Sequence, residues 1–130
     1  MVDPTDVVRA HYAAIARRDL DAVPDTLAED VAWDFPACPG IPFAGSRRGR
    51  REVAAFFESI RTSVEVREFV VHGMTVDGPL VIVRGRERFC VRATGRDWAS
   101  EWIQVHTVRD GRITAFREYA DTAAIAAAYA

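Results

Sequence analysis

Residues 96–122 read RDWASEWIQVHTVRDGRITAFREYADT, and their reading decides the fold. Apolar and polar residues alternate on both sides of Asp110-Gly111, which predicts two strands joined by a tight turn. A type I′ turn needs φ > 0 at both central residues, and Asp-Gly supplies that at low cost. Successive side chains on a strand point to opposite faces. Trp98, Trp102, Gln104 and His106 therefore share one face of the first strand, and Phe116, Glu118 and Ala120 are expected to share one face of the second. On one side of a sheet, these sets place a Gln, a His and a Glu among aromatic walls. That is a small-molecule pocket with acid–base capacity, provided no bulge between Trp98 and Ala120 turns part of the set outward.

Upstream, the same period of two runs through Val64–Val76 and Leu80–Ala93, and it continues in Asp97–Val108 and Arg112–Ala120. The links Asp77-Gly78-Pro79 and Thr94-Gly95-Arg96 are so short that neighbours must be antiparallel. Strands of about twelve residues span ~40 Å, so the sheet must twist and curve. Arg84, Arg86, Arg88 and Arg92 fall on one face, expected to be a solvated outer surface or a subunit contact that pairs with acids such as Glu101. The other face carries Val81, Val83, Gly85, Glu87, Phe89 and Val91. Glu87 there is either a strand-end acid that reaches solvent or a buried carboxyl that needs a partner or a raised pKa.

The first half of the chain reads as helical with one strand. Asp3 is placed as an N-cap with Pro4 at the first helical position. The helix then runs to about Arg18, with Val8, Tyr12 and Ile15 on its buried stripe. Tyr12 carries the only polar tip on that stripe, equally suited to a core rim or to a pocket, whereas His11 at its edge is expected at the surface. Asp21 is placed as the cap of a short helix ending at Ala28. Val31 to Phe35 reads as a strand with Trp33 and Phe35 on one face and Asp34 on the other. Ala37 to Ser46, rich in Pro and Gly yet bearing Ile41 and Phe43, is expected to be a loop that rims or lids something. A further helix over about Arg50 to Thr62 buries Val53, Phe56, Phe57 and Ile60. Asp121 or Thr122 caps a last helix, Ala123 to Tyr129.

The expected architecture is one α+β domain over residues 1–130, with helices on the concave face of a long curved antiparallel sheet and a pocket between. A chain with 17 basic and 19 acidic residues and a net charge of -2 has no particular attraction for nucleic acid or an acidic membrane. The basic run Arg47, Arg48, Arg50, Arg51 lacks interleaved aromatics and reads as a solvated rim. Cys38 and Cys90 are far apart and in no metal-binding pattern, and the absence of a signal-like start or an apolar span makes the cytoplasm the expected compartment. No Gly-rich phosphate loop is present, so no nucleotide cofactor is expected. No metal is expected either, because a triad of His106, Glu87 and Glu118 would rest on a single inward His.

Three stretches carry a resemblance to a known family: HYAAIARRDLDAVPDTLAEDVAWDFP (11–36), FAGSRRGRREVAAFF (43–57) and, most specifically, VRDGRITAFREYADT (108–122). The chain resembles the nuclear transport factor 2-like (cystatin-like) superfamily and, within it, the SnoaL-like domains related to polyketide cyclases and ketosteroid isomerase. The resemblance implies a cone-shaped fold around an apolar pocket, and often a homodimer. It does not imply one activity, since these pockets host isomerases, cyclases, epoxide hydrolases, dehydratases and non-catalytic binders. Against ketosteroid isomerases, Tyr12 matches the helix-one tyrosine, but Phe35 stands at the base position, with Asp34 beside it, and Gln104 stands where a late aspartate is expected. Against SnoaL-type cyclases, Gln104, His106 and Glu118 match a Gln, a His and an acid on the last two strands. Against limonene-epoxide hydrolases, Glu87 and Glu118 match two acids, with Gly85 in place of the arginine.

The functional expectation is cofactor-independent proton transfer on an apolar, carbonyl-bearing small molecule. Glu118 is the base, His106 assists as acid or orienter, and Gln104 and Tyr12 donate to the developing oxyanion. Trp33, Phe35, Phe56, Glu87, Trp98, Trp102 and Phe116 shape the pocket. The alternatives are a hydrophobic-ligand binder without turnover and an epoxide or ester hydrolase.

Overall fold

The computed structural model describes residues 3–130. Asp110 and Gly111 have φ of 52° and 75°, both positive as a type I′ turn requires. They join β5 (Asp97–Arg109) to β6 (Arg112–Ala120). The meander before them runs from β3 (Val64–Asp77) through β4 (Leu80–Val91), antiparallel throughout. Each strand lies within a few residues of its expected bounds, because the alternation that marks a strand also decides which face it buries.

The N-terminal half adds α1 (Pro4–Ala16), β1 (Leu27–Phe35), β2 (Gly45–Arg48) and α2 (Arg50–Ser63), and α3 (Thr122–Tyr129) closes the chain. Asp3 caps α1 by accepting from the Thr5 amide at 2.9 Å, and Asp121 caps α3 by accepting from Ala124 at 3.1 Å. The six strands form one sheet in the order β2-β1-β6-β5-β4-β3. The sheet is mixed: β1 runs parallel to β6 and the remaining pairs are antiparallel. Two expectations about the first half change. The short helix ending at Ala28 is a 3-10 turn over Val23–Thr26, since Leu27 is fully buried and already pairs with Ile113. Within the expected loop, Gly45–Arg48 forms β2 and pairs with Ala32 to Phe35.

Bulges bend the sheet, because an extra residue on one strand increases the local twist. On β3 the pairing skips Arg67 and His72. On β6 it skips Thr114, since Thr107 faces Ala115 and Val108 faces Ile113. Inward facing thus changes from Ile113 on one side of Thr114 to Phe116 and Glu118 on the other. Both sides of the bulge stay buried, and Gln104 lies directly opposite Glu118, with His106 opposite Phe116.

Gly85 serves a different purpose. A Cβ there would sit 2.2 Å from Trp102 Cζ2 and 2.3 Å from the Val70 carbonyl oxygen. Only a residue without a side chain lets the Trp102 ring lie across β4. The outer arginines pair with acids on neighbouring strands: Arg86 with Glu68 at 3.0 Å, Arg92 with Glu65 at 3.1 Å and Arg88 with Asp97 at 2.9 Å. The expected partner Glu101 is not among them; β3 supplies two of the three. Cys38 and Cys90 are free. Among the described residues, no helix is long and apolar enough to cross a membrane.

Candidate active site

A cavity of about 480 Å³ opens between α1, α2 and the concave face of the sheet. Aromatic rings make most of its wall. Trp33 stacks on Phe116 with ring centroids 3.8 Å apart, a contact set by the parallel register that places Trp33 beside Phe116. Phe35 and Phe56 complete that side as expected, together with Phe43 and Phe57. Phe69 and Phe89 line the side formed by β3 and β4. The polar side chains on the wall are Tyr12, Gln104, Glu87, Glu118 and His11, with Arg18, Arg67 and Glu68 at its edge.

Three of these side chains and one behind them form a directed chain of hydrogen bonds. Tyr12 donates its hydroxyl proton to Gln104 Oε1. Gln104 Nε2 donates to Glu118 Oε1 at 2.7 Å. Tyr12 Oη also lies 2.9 Å from His106 Nε2. The tyrosine has only one proton and it goes to Gln104, so His106 Nε2–H must be the donor to Tyr12. His106 is therefore the Nε2–H tautomer, and its buried Nδ1, which has no partner, is a bare lone pair. Burial, reinforced by the nearby His11, holds His106 far below the ordinary histidine pKa, so the ring stays neutral. Burial and the Glu118 charge push the Tyr12 hydroxyl well above its usual value, so it keeps its proton as a donor.

Glu118 and Glu87 are the two buried carboxyls. Burial first, and Glu87 second, push Glu118 up to about 8, partly offset by the Gln104 hydrogen bond. Burial pushes Glu87 up to about 7 against the opposing bond from Trp98 Nε1, 2.7 Å from Glu87 Oε2. Because the two groups repel, the pair titrates as a unit and retains part of its proton load near neutrality. One cavity then holds a carboxylate able to take a proton and a carboxylic acid able to return one.

Three expected residues sit elsewhere. Trp98 and Trp102 face the concave side but lie behind the lining. Trp98 packs between Phe89 and Tyr129 and holds Glu87. Trp102 stacks on Phe69 at 5.1 Å and on Tyr12 at 6.3 Å. His106 also lies behind the wall, under Tyr12, and its hydrogen bond is to Tyr12 rather than to Glu118. Strand parity sets the face of a residue, but helix α1 covers the far end of β5, and depth is decided there. Asp34 points outward and pairs with Arg117 at 3.7 Å. Conversely, His11 is 1% exposed rather than at the surface. Its neighbour Tyr12 on the stripe and its spacing from Val7 and Val8 were the signals that it faces inward. Among the described residues, no three His, Cys, Asp or Glu side chains converge as a metal site would need.

Comparison with known proteins accounts for this arrangement at the level of family. The model of the SnoaL-like domain matches residues 8–116. The chain belongs to the SnoaL-like domain family. This SnoaL-like domain superposes on an NTF2-like protein from Burkholderia xenovorans LB400 with a TM-score of 0.89 and 31% identity, over 98% of this chain and 95% of that one. An NTF2-like protein from Burkholderia thailandensis E264 gives 0.90 and 28%, over 100% and 99%. A protein from Xanthomonas campestris pv. campestris, named "putative polyketide cyclase", gives 0.77 and 27%, over 98% and 96%. No protein in the curated set matches the sequence.

Proposed function

We propose that this SnoaL-like domain catalyses cofactor-independent proton transfer, of the cyclase or isomerase type, on an apolar small molecule that carries a carbonyl group. The observation that carries the reading is Glu118: a carboxyl on an aromatic cavity wall, raised to about 8 and held by Gln104, which in turn accepts from Tyr12. A base with a pKa near the working pH transfers protons most effectively. The likeness to cyclase-named neighbours supports the same class.

In this reading Glu118 takes a proton from the carbon next to the substrate carbonyl. The electron pair moves onto the carbonyl oxygen, which accepts from the Tyr12 hydroxyl as that proton turns to it from Gln104 Oε1. His106 Nε2–H donates to that hydroxyl and so makes it a stronger donor as negative charge develops. Glu118 then returns the proton, either to another carbon, which completes an isomerisation, or to the alkoxide formed when the enolate carbon attacks a second carbonyl, which completes a ring closure. Glu87 serves as the second carboxyl acid. Hydrolysis by two acids with an arginine between them has less support, since Gly85 has no room for any side chain. The same reading takes residues 1–130 as one cytoplasmic domain that forms a homodimer.

The test is exchange of α-hydrogens of 1-tetralone in D2O, followed by proton NMR. The protein is expected to catalyse exchange, and Glu118→Gln to slow it by about 10²–10⁴-fold. Equal rates would remove Glu118 from the chemistry. A second reading, ligand binding without turnover, draws on the Tyr12–Gln104–Glu118 chain being complete within the protein. It predicts no exchange by either form and an apolar ligand recovered unchanged after purification.

A further inference from the structure

His11 is a buried titratable group that the proposed reaction does not use. Its ring is enclosed by those of Tyr12, Trp33, Phe57 and His106, with centroids between 5.4 and 6.3 Å away. Its protonation pattern follows from its neighbours. Thr26 Oγ1 lies 2.7 Å from the Val23 carbonyl oxygen, which can only accept, so the Thr26 hydroxyl proton points there. Thr26 Oγ1 therefore has only lone pairs to offer His11 Nδ1, which lies 3.0 Å away, and Nδ1 must be the donor. Burial holds His11 down to about 4, so the ring is neutral and carries one N–H. Nε2 is left as a bare acceptor.

That acceptor has no hydrogen bond among the described residues, and His11 lines the cavity. Unlike His106 Nδ1, it is not among the atoms sealed away without a partner. Buried polar atoms are paired as a rule, and His11 is part of the wall of the space a ligand would fill. The surrounding rings of Trp33, Phe57 and Tyr12 would desolvate a cation at high cost, so the matching donor is neutral.

We propose that His11 Nε2 accepts a hydrogen bond from a hydroxyl group on the ligand, so that this cavity selects hydroxylated aromatic ketones over their plain counterparts. The carbonyl in that class rests on the proposed function; the hydroxyl rests on His11 alone. The ligand is then gripped at two points of opposite sense, with its carbonyl accepting from Tyr12 and its hydroxyl donating to His11.

Two measurements test this, and neither reads turnover, so their failure is distinct from failure of the proposed reaction. Long-range proton–nitrogen spectra of the labelled protein report histidine tautomers directly. His11 is expected as the Nδ1–H form and His106 as the Nε2–H form; an Nε2–H form at His11 would overturn the proposal. The second measurement compares binding of 2-acetylnaphthalene with its 6- and 7-hydroxylated derivatives, by calorimetry. At least one hydroxylated ketone is expected to bind about tenfold more tightly than the parent. His11→Phe should bring that ratio to near one, and His11→Gln, whose amide oxygen reaches a similar position, should restore part of it. No preference in the wild-type protein, or the same preference in His11→Phe, would overturn the proposal.

Discussion

Replacing Glu118 by Gln separates what this carboxyl costs the fold from what it contributes to chemistry. Burial and Glu87 lift Glu118 from 4.5 to about 8. The unfolded chain loses this proton near 4.5 and the folded chain only near 8, so the folded state holds more protons in between. Its stability falls as pH rises through that window, and the loss is complete above about 8. At about 1.4 kcal/mol per pH unit the full difference is on the order of 5 kcal/mol. Glu87 shares the repulsion, which leaves about 2–5 kcal/mol to be removed with Glu118 alone. Gln is neutral at every pH and keeps an oxygen for the Gln104 amide. The variant is therefore expected to match the wild type near pH 4.5 and to exceed it at pH 9, while α-hydrogen exchange is lost. Urea denaturation followed by tryptophan fluorescence reads this directly. With a slope of roughly 1.5 kcal/mol per molar, the midpoint advantage at pH 9 is about 1.5–3 M. Wild type and variant losing stability in parallel between pH 5 and pH 9 would refute the burial of an ionisable Glu118.

Other substitutions probe the supports of the site. Gly85→Ala drives a methyl group into Trp102 and the Val70 carbonyl, and should cost about 1–3 kcal/mol, seen as a lower urea midpoint. Tyr12→Phe leaves His106 Nε2–H and Gln104 Oε1 without their partner. A loss of about 1–3 kcal/mol for each buried group left unpaired and about 10²-fold in exchange rate are expected, measured in the same two assays. On the acid side, His11 is held down to about 4 from 6.5. The unfolded chain takes up this proton below 6.5 and the folded chain only near 4, so stability falls as pH drops between them. His11→Phe should flatten that part of the urea-midpoint profile, and an unchanged profile would count against a buried neutral ring.

The alternation in residues 64–120 made the meander, its turns and the inward faces of Gln104, Glu87 and Glu118 legible, because in a half-covered sheet period and burial are one signal. Other features depend on contacts distant in sequence. Gly45–Arg48 is four residues with no apolar alternation, and it becomes a strand only because β1 offers it an edge. The parallel pairing of β1 with β6 joins segments some eighty residues apart and leaves no local mark. His11 was misplaced because helical spacing puts it at the edge of a stripe, and the width of the buried face depends on what α1 packs against. Trp98 and Trp102 show the complementary limit: parity placed them on the concave side, but Phe69 and Phe89 stand in front of them.

The extra residue at Thr114 has a consequence for how this hairpin tolerates change. One strand serves two compartments, with Ile113 in the solid end of the cone and Phe116 and Glu118 in the hollow end. A single added position lies between the two. Substitutions at the half-buried Thr114 should pass with little effect. Its deletion would leave Thr107 facing Ala115 and Val108 facing Ile113 in an unbroken ladder, so Ile113, Phe116 and Glu118 would keep their inward places by plain alternation. What the hairpin would lose is the extra twist that the bulge supplies where the two compartments meet.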